Sequence, residues 1–270
     1  MYKLEEFLHE DVGRGDVTSE LVVPDSGGIA SIVSEKAGVV AGVEEACEIF
    51  SIAGADATPV VKDGSRVKPG DRVISVTGPV RSIITAERTA LNFLMRMSGI
   101  ATATAEAVAA LSEKDPEIRV CATRKTTPGF RRYEKKAVRI GGGLEHRFGL
   151  DDMIMIKDNH IRACGSVKSA MTRAKEAQFH IKIEIEVGSI KDAVTAANMG
   201  ADIIMADNMS PKEVSELRDA VKEIDPKILV EASGNITLEN IGDYAGCADL
   251  VSMGSLTHSV KAMPFSLDLD

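Results

Sequence analysis

Residues 182–234 read KIEIEVGSIKDAVTAANMGADIIMADNMSPKEVSELRDAVKEIDPKILVEASG. Three short apolar runs, KIEIEV, DIIMADN and KILVEASG, are separated by helix-length segments, of which SPKEVSELRDAVKEI is plainly amphipathic. Strands that alternate with such helices pair in parallel, because a parallel connection must cross back over the sheet. The alternation extends outward: IRVCATRK and MIMIKDN precede it, with SVKSAMTRAKEAQ as another helical segment, and DLVSMGS follows.

Charged and small polar residues end these runs. Arg124-Lys125, Lys157-Asp158, Glu186, Asp207, Ser233-Gly234 and Gly254-Ser255 all fall at strand C-termini, the rim on which α/β barrels build their sites. Singly, Asp207 or Ser233 reads equally well as a polar residue leaving a strand or capping a helix. Together the six read as a site. Six strands are clear and a seventh is placed near Ala137–Ile140, which makes a small barrel that begins after Pro116.

Residues 121–160, CATRKTTPGFRRYEKKAVRIGGGLEHRFGLDDMIMIKDNH, carry Arg124, Lys125, Arg131, Arg132, Lys135, Lys136, Arg139, Arg147 and Lys157, although the chain is formally at −9. A cationic island in an acidic protein suits a small polyanion, while the acidic remainder disfavours nucleic acid and anionic membranes. The turn Thr126-Thr127-Pro128-Gly129 ends the strand carrying Arg124 and Lys125, and Gly141–Gly143 lets the backbone approach a ligand closely. Lys135, Lys136 and Arg139, at helical spacing, also read as a solvated basic face.

With 270 residues, 44% of them hydrophobic, the chain suffices for one large or two moderate domains. Cys47, Cys121, Cys164 and Cys247 stand far apart without a CxxC pair, which indicates neither a zinc site nor a disulfide framework. They fit a reducing cytoplasm. The acidic, amphipathic start MYKLEEFLHED lacks a signal-peptide pattern, and no apolar stretch reaches membrane-spanning length. Neither a membrane nor a nucleic-acid partner is expected, since aromatic–basic interleaving is confined to Phe130-Arg131-Arg132-Tyr133.

Ahead of the strand–helix repeats, a short helix and a turn at Gly13–Asp16 lead into the β-like runs IASIVSEK, GVVAG and RVISVTG around a helix-like VEEACEIFSIAG. KPGDRVISVTGPV has the turns of a lipoyl-type domain but no acceptor lysine at a hairpin tip, so it reads as scaffold. From Thr85 to about Lys114 the pattern is helical, with a break expected at Ser98-Gly99. Arg88, Leu91, Asn92 and Met95 share one stripe of its first part. An arginine there needs an anion, an interface or a path to water past the core edge. The expected domains are residues 1–112, an α/β sandwich of α+β type, and 113–261, the barrel, with the tail 262–270 packing back on the first.

TRKTTPG, EKKAV, GGG, HRFGL and IKDNHI, in this order and at these spacings, resemble the quinolinate phosphoribosyltransferase family, also called nicotinate-nucleotide pyrophosphorylase (carboxylating). EDVGRGDVTS, AERTALNFLMRMSGIAT, IEIEVGS, ADNMSP, EASGNI and SMGSLTHS extend the resemblance over nearly the whole chain. It implies an N-terminal α/β sandwich followed by an incomplete, roughly seven-stranded α/β barrel. The implied reaction moves a phosphoribosyl group from phosphoribosyl pyrophosphate to the ring nitrogen of quinolinate. Pyrophosphate and carbon dioxide leave, and nicotinate mononucleotide is formed for NAD biosynthesis. No organic cofactor is implied, only Mg2+ accompanying phosphoribosyl pyrophosphate. A homodimer with Arg88 donated across its interface is implied, and a hexamer stays open.

Two adjacent carboxylates on a flat ring suit guanidiniums, which hold each bidentately. By resemblance Arg88, Thr123, Arg124, Lys125, His146, Arg147 and Lys157 form the quinolinate pocket, and Lys125 and Lys157 also face the phosphates. Glu186 and Asp207, on successive strand ends, suit the ribose hydroxyls, the Mg2+ and the oxocarbenium-like charge at C1. With Lys125 they are the catalytic candidates. The 5-phosphate is assigned to Ser233-Gly234-Asn235 and Met253-Gly254-Ser255 at helix N-termini, with His258 near the second.

Three positions depart from the family pattern. Cys121-Ala122 stands where an acid often precedes TRK, Glu145 where Asn commonly precedes His-Arg, and Asn235 where Gly is usual in EASGG. The alternatives are a related branch linked with molybdenum transport, in which the TRK and KDNH equivalents diverge, and a transferase that takes nicotinate itself. A third, of another class, is a sensor that binds phosphoribosyl compounds without turnover. A sensor has no need of Glu186 and Asp207 beside the full basic set.

Overall fold

The structure, a computed structural model, describes residues 3–177 and 181–270. In chain order it begins with α1 (Leu4–Val12), α2 (Val17–Val22), β1 (Gly27–Ser34), β2 (Gly38–Val39), α3 (Val43–Ile52), β3 (Asp56–Pro59), β4 (Arg66–Val67), β5 (Arg72–Pro79) and α4 (Val80–Ser112). There follow β6 (Arg119–Cys121), α5 (Arg131–Ile140), β7 (Ile154–Ile156), α6 (Asp158–Cys164), α7 (Val167–Ala177), β8 (Ile183–Val187) and α8 (Ile190–Asn198). The last are β9 (Ile203–Asp207), α9 (Pro211–Ile224), β10 (Leu229–Ser233), β11 (Leu250–Ser252), α10 (Ser255–His258) and β12 (Phe265–Leu269).

Two compact units result. One holds the chain up to Ala105 with Thr126–Gly142 and Ser259–Asp270; the other holds Glu106–Lys125 with Gly143–His258. A single boundary after residue 112 is therefore too simple, because Thr126–Gly142 belongs with the first unit.

The first unit is built on an antiparallel sheet of order β12-β1-β5-β3, in which Ala30 pairs with Leu269 and Ser34 with Phe265. Asp16 caps α2, accepting from the backbone N–H and hydroxyl of Ser19 and from the Thr85 hydroxyl of α4. The expected break at Ser98-Gly99 is absent and α4 runs through. Gly99 serves instead as a contact point, since a Cβ there would collide with the Lys261 carbonyl oxygen.

Within this unit α5 is held on three sides. Phe7, Phe93, Phe130 and Tyr133 form a ring cluster with mostly edge-on contacts, such as 4.8 Å between the Phe93 and Tyr133 centroids. Glu134, fully buried, accepts from Arg96 at 2.7 Å and from the Thr127 backbone and hydroxyl. Lys136 pairs with Glu44, Glu45 and Asp63, and Lys135 is completely buried. Lys135 and Lys136 are thus not on a solvated face, whereas Arg139 is exposed. The supposed seventh strand at Ala137–Ile140 is the last turn of this helix, because Tyr133, Ala137 and Val138 bury at helical spacing.

In the second unit six strands pair in parallel in the order β6-β11-β10-β9-β8-β7. The seventh position is taken by Leu144, a single parallel bridge beside Cys121. Among the described residues no strand pairing joins Leu144 to β7, so the ring is incomplete there. Ile183, Ile185 and Val187 of β8 are buried, while Glu186, on the other face of the pleat, lines the cavity that the strands surround. Among the described residues no helix is long and apolar enough to cross a membrane.

Candidate active site

A cavity of about 410 Å³ opens at the C-terminal ends of the parallel strands, formed wholly by the second unit. Thr123, Arg124 and Lys125 follow β6, His146 and Arg147 follow the Leu144 bridge, and Lys157 follows β7. Glu186, Asp207 and Ser233 lie at the ends of β8, β9 and β10, and Gly234-Asn235 complete the rim. These eleven candidate residues are brought together by the parallel topology alone: each strand ends at the same level.

The remaining candidates do not line the cavity. Arg88 is exposed on α4 in the first unit, with no hydrogen bond or ion pair among the described residues. Met253 is buried, so only its backbone can serve a ligand. Gly254 packs against its neighbours, since a Cβ there would lie 2.9 Å from Lys125 Cδ and 3.1 Å from the exposed His258 ring. Ser255 opens α10 as expected, whereas no α-helix starts at Ser233-Gly234. There the turn is made by Gly234 and Asn235 at φ 96° and 53°, which leaves Asn235 where glycine's freedom is usually required. Glu145 does not line the cavity.

Charge is arranged in two levels. At the rim Lys157 Nζ meets Glu186 Oε2 at 2.5 Å. Beside it, burial and the neighbouring Arg124 push the Arg147 guanidinium below its usual pKa. An anion beside Arg147 would favour its charged form.

Beneath the rim lie two acids that the motif reading passed over. Glu184 and Glu231 are fully buried, with His146 Nε2 at 3.2 and 3.0 Å from their carboxylates. His146 Nε2 faces the acids, and the Arg147 backbone nitrogen lies 2.8 Å from Nδ1. Burial works against a charged ring, but hydrogen bonds and charge from Glu184 and Glu231 outweigh it and raise the His146 pKa from 6.5 to about 10. Burial likewise raises Glu184. The three groups thus retain an extra proton as a set.

The spacing of His146, Glu184 and Glu231 would also fit a cation. The other such group among the described residues, Glu44, Glu45 and Asp63, is filled by Lys136. A period-two reading of IEIEV and VEASG would have found the buried acids, because it puts Glu184 with Glu186, and Glu231 with Ser233, on one face. Asn208, at φ 55°, also lines the cavity, although the sequence did not single it out.

Residues 16–98 match the model for the quinolinate phosphoribosyl transferase N-terminal domain, and residues 100–268 match that for the C-terminal domain. The chain belongs to the quinolinate phosphoribosyltransferase family. A relative from Archaeoglobus fulgidus, named a probable nicotinate-nucleotide pyrophosphorylase [carboxylating], is 47% identical over 94% of this chain and 97% of its own. One of the same name from Bacillus subtilis is 43% identical over 98% and 92%. The crystal structure of NadC from Streptococcus pyogenes superposes with a TM-score of 0.92 at 42% identity, covering 99% of this chain and 95% of that one. Family membership accounts for the expected architecture, an α/β sandwich with an incomplete α/β barrel.

Proposed function

We propose that this enzyme transfers a phosphoribosyl group from phosphoribosyl pyrophosphate to quinolinate and releases pyrophosphate and carbon dioxide, forming nicotinate mononucleotide for NAD biosynthesis. The observation that carries the reading is the cavity in which Arg124, Arg147 and Lys157 face Glu186 and Asp207. Cations alone would serve any anion. Two carboxylates opposite them serve a substrate that turns cationic as it reacts.

In this reading Arg124 and Arg147, with Thr123 and Lys157, grip the two ring carboxylates, His146 lies beneath them on Glu184 and Glu231, and Arg88 arrives from the second copy of a homodimer. The ring nitrogen is then directed at C1 of the ribose, and no protein nucleophile is needed. Lys125 and Lys157 draw off the charge of the departing pyrophosphate, while Glu186 and Asp207 stabilise the oxocarbenium-like carbon. The 5-phosphate lies on backbone N–H groups at Gly234-Asn235 and Gly254-Ser255. Once alkylated, the ring nitrogen takes up the electrons left by the C2 carboxylate, so carbon dioxide leaves without an organic cofactor.

The donor chemistry at the rim fits Mg2+, because Glu186 and Asp207 offer hard carboxylate oxygens. They are only two, however, so the ion would be expected to arrive with the pyrophosphate. It supplies charge neutralisation on the leaving group. A cytoplasmic location agrees with four free cysteines.

The test is turnover with quinolinate, phosphoribosyl pyrophosphate and Mg2+, following nicotinate mononucleotide and carbon dioxide, with nicotinate as the parallel substrate. Product from quinolinate alone is expected. Product from nicotinate, or from neither, would return the chain to the nicotinate transferase, the transport-linked branch or the sensor.

A further inference from the structure

Asn235 and Asn208 both hold left-handed backbone, at φ 53° and 55°, and their side chains meet. Asn235 Nδ2 donates to Asn208 Oδ1 at 2.9 Å, and Asn208 Nδ2 donates to Asp207 Oδ2 at 2.9 Å. Chemistry sets the direction of this relay. The Asp207 carboxylate only accepts, so the Asn208 nitrogen must face it; the Asn208 oxygen then faces Asn235, which must present its own nitrogen. The backbone holds the relay in place. Asn208 N–H donates to the Ser233 carbonyl at 2.8 Å, and Asn240 Nδ2 to the Asn235 carbonyl at 3.1 Å. Gly234 lacks the Cβ that would collide with Asn208 Oδ1.

The structure assigns Asn235 as a positioning residue: through Asn208 its side chain orients the Asp207 carboxylate, and so sets the affinity for magnesium phosphoribosyl pyrophosphate rather than for quinolinate. The assignment rests on the reading of the cavity above. It separates the side chain of Asn235 from its backbone, which serves the phosphate turn. Without the donor at 235, the Asn208 amide can rotate and Asp207 keeps an unfixed neighbour. Quinolinate, held on the arginines after β6 and the Leu144 bridge, does not sense the change.

Glycine adopts φ 53° freely, so Asn235→Gly removes the donor and leaves the turn. Steady-state kinetics of the full chain should show KM for phosphoribosyl pyrophosphate raised about fivefold, the factor one ordinary hydrogen bond supplies. The Mg2+ concentration for half-maximal rate should rise with it, while KM for quinolinate stays within about twofold. In an Asp207→Asn background the same substitution should have no further effect, because its target is gone. An unchanged KM for phosphoribosyl pyrophosphate, an equal rise for both substrates, or a full effect in the Asp207→Asn background would each overturn the assignment. Asn235→Asp, which keeps a side chain tolerant of this backbone but cannot donate, decides the matter if the glycine variant is unstable. A wild-type chain that makes no product from quinolinate sinks the functional reading instead. The relay is then read from calorimetric binding of magnesium pyrophosphate, where Asn235→Gly should weaken affinity about fivefold and equal affinity would reject it.

Discussion

His146 Nε2 lies 3.0 Å from Glu231 Oε2, beneath a rim of arginines and lysines. The folded state binds a proton at His146 more tightly than the unfolded chain does, with the pKa raised from 6.5 to about 10. Its stabilisation is therefore complete below pH 6.5 and is lost as pH rises through 10. Glu184, also raised, acts with the same sign. Thermal stability should fall between pH 7 and 10 by up to about 1.4 kcal/mol per pH unit. Glu231→Gln should flatten that slope, and a parallel slope in the variant would remove Glu231 as its source.

Glu186 is tied to Lys157 at 2.5 Å. Glu186→Gln keeps the shape and removes the charge. Turnover should fall about 100-fold, in the range of a lost electrostatic stabiliser, with KM for quinolinate within about threefold. An unchanged kcat takes Glu186 out of the chemistry.

Arg124 stands close enough to Arg147 to depress its pKa. Arg124→Lys preserves charge but not the planar fork, so KM for quinolinate should rise at least about tenfold. KM for phosphoribosyl pyrophosphate should barely change. If both substrates weaken alike, Arg124 belongs to the phosphate side.

Arg88 stands exposed and outside the cavity of its own chain. Arg88→Ala and Arg124→Ala should each be nearly inactive alone. Mixed and allowed to exchange subunits, they should recover about a quarter of wild-type activity, because half the dimers are hybrids with one intact site. No recovery in demonstrably mixed dimers would place Arg88 in its own chain's site.

Gly99 has the Lys261 carbonyl where a Cβ would go. Gly99→Ala should destabilise the protein by about 1–3 kcal/mol in urea unfolding, through overpacking where the last segment crosses α4. Stability equal to wild type would mean that the C-terminal segment is not fixed there.

Local regularities alone were enough for the parallel sheet, its helices and the chemistry of its rim. KIEIEV, DIIMADN and KILVEASG alternate with helices, and in a parallel sheet every strand ends on the same side, so Lys157, Glu186, Asp207 and Ser233 had to meet. Even the buried acids Glu184 and Glu231 were readable from the period of two. Contacts between distant segments lay beyond such reading. Thr126–Gly142 joins the first unit because Glu134 and Lys136 find Arg96, Glu44, Glu45 and Asp63 there, and α4 stays unbroken because Gly99 admits the tail. The basic run of residues 124–157 is consequently divided, with only Arg124, Lys125, Arg147 and Lys157 at the cavity. Strand and helix periods are written residue by residue along the chain, but which charge neutralises which depends on where the packed backbone delivers them.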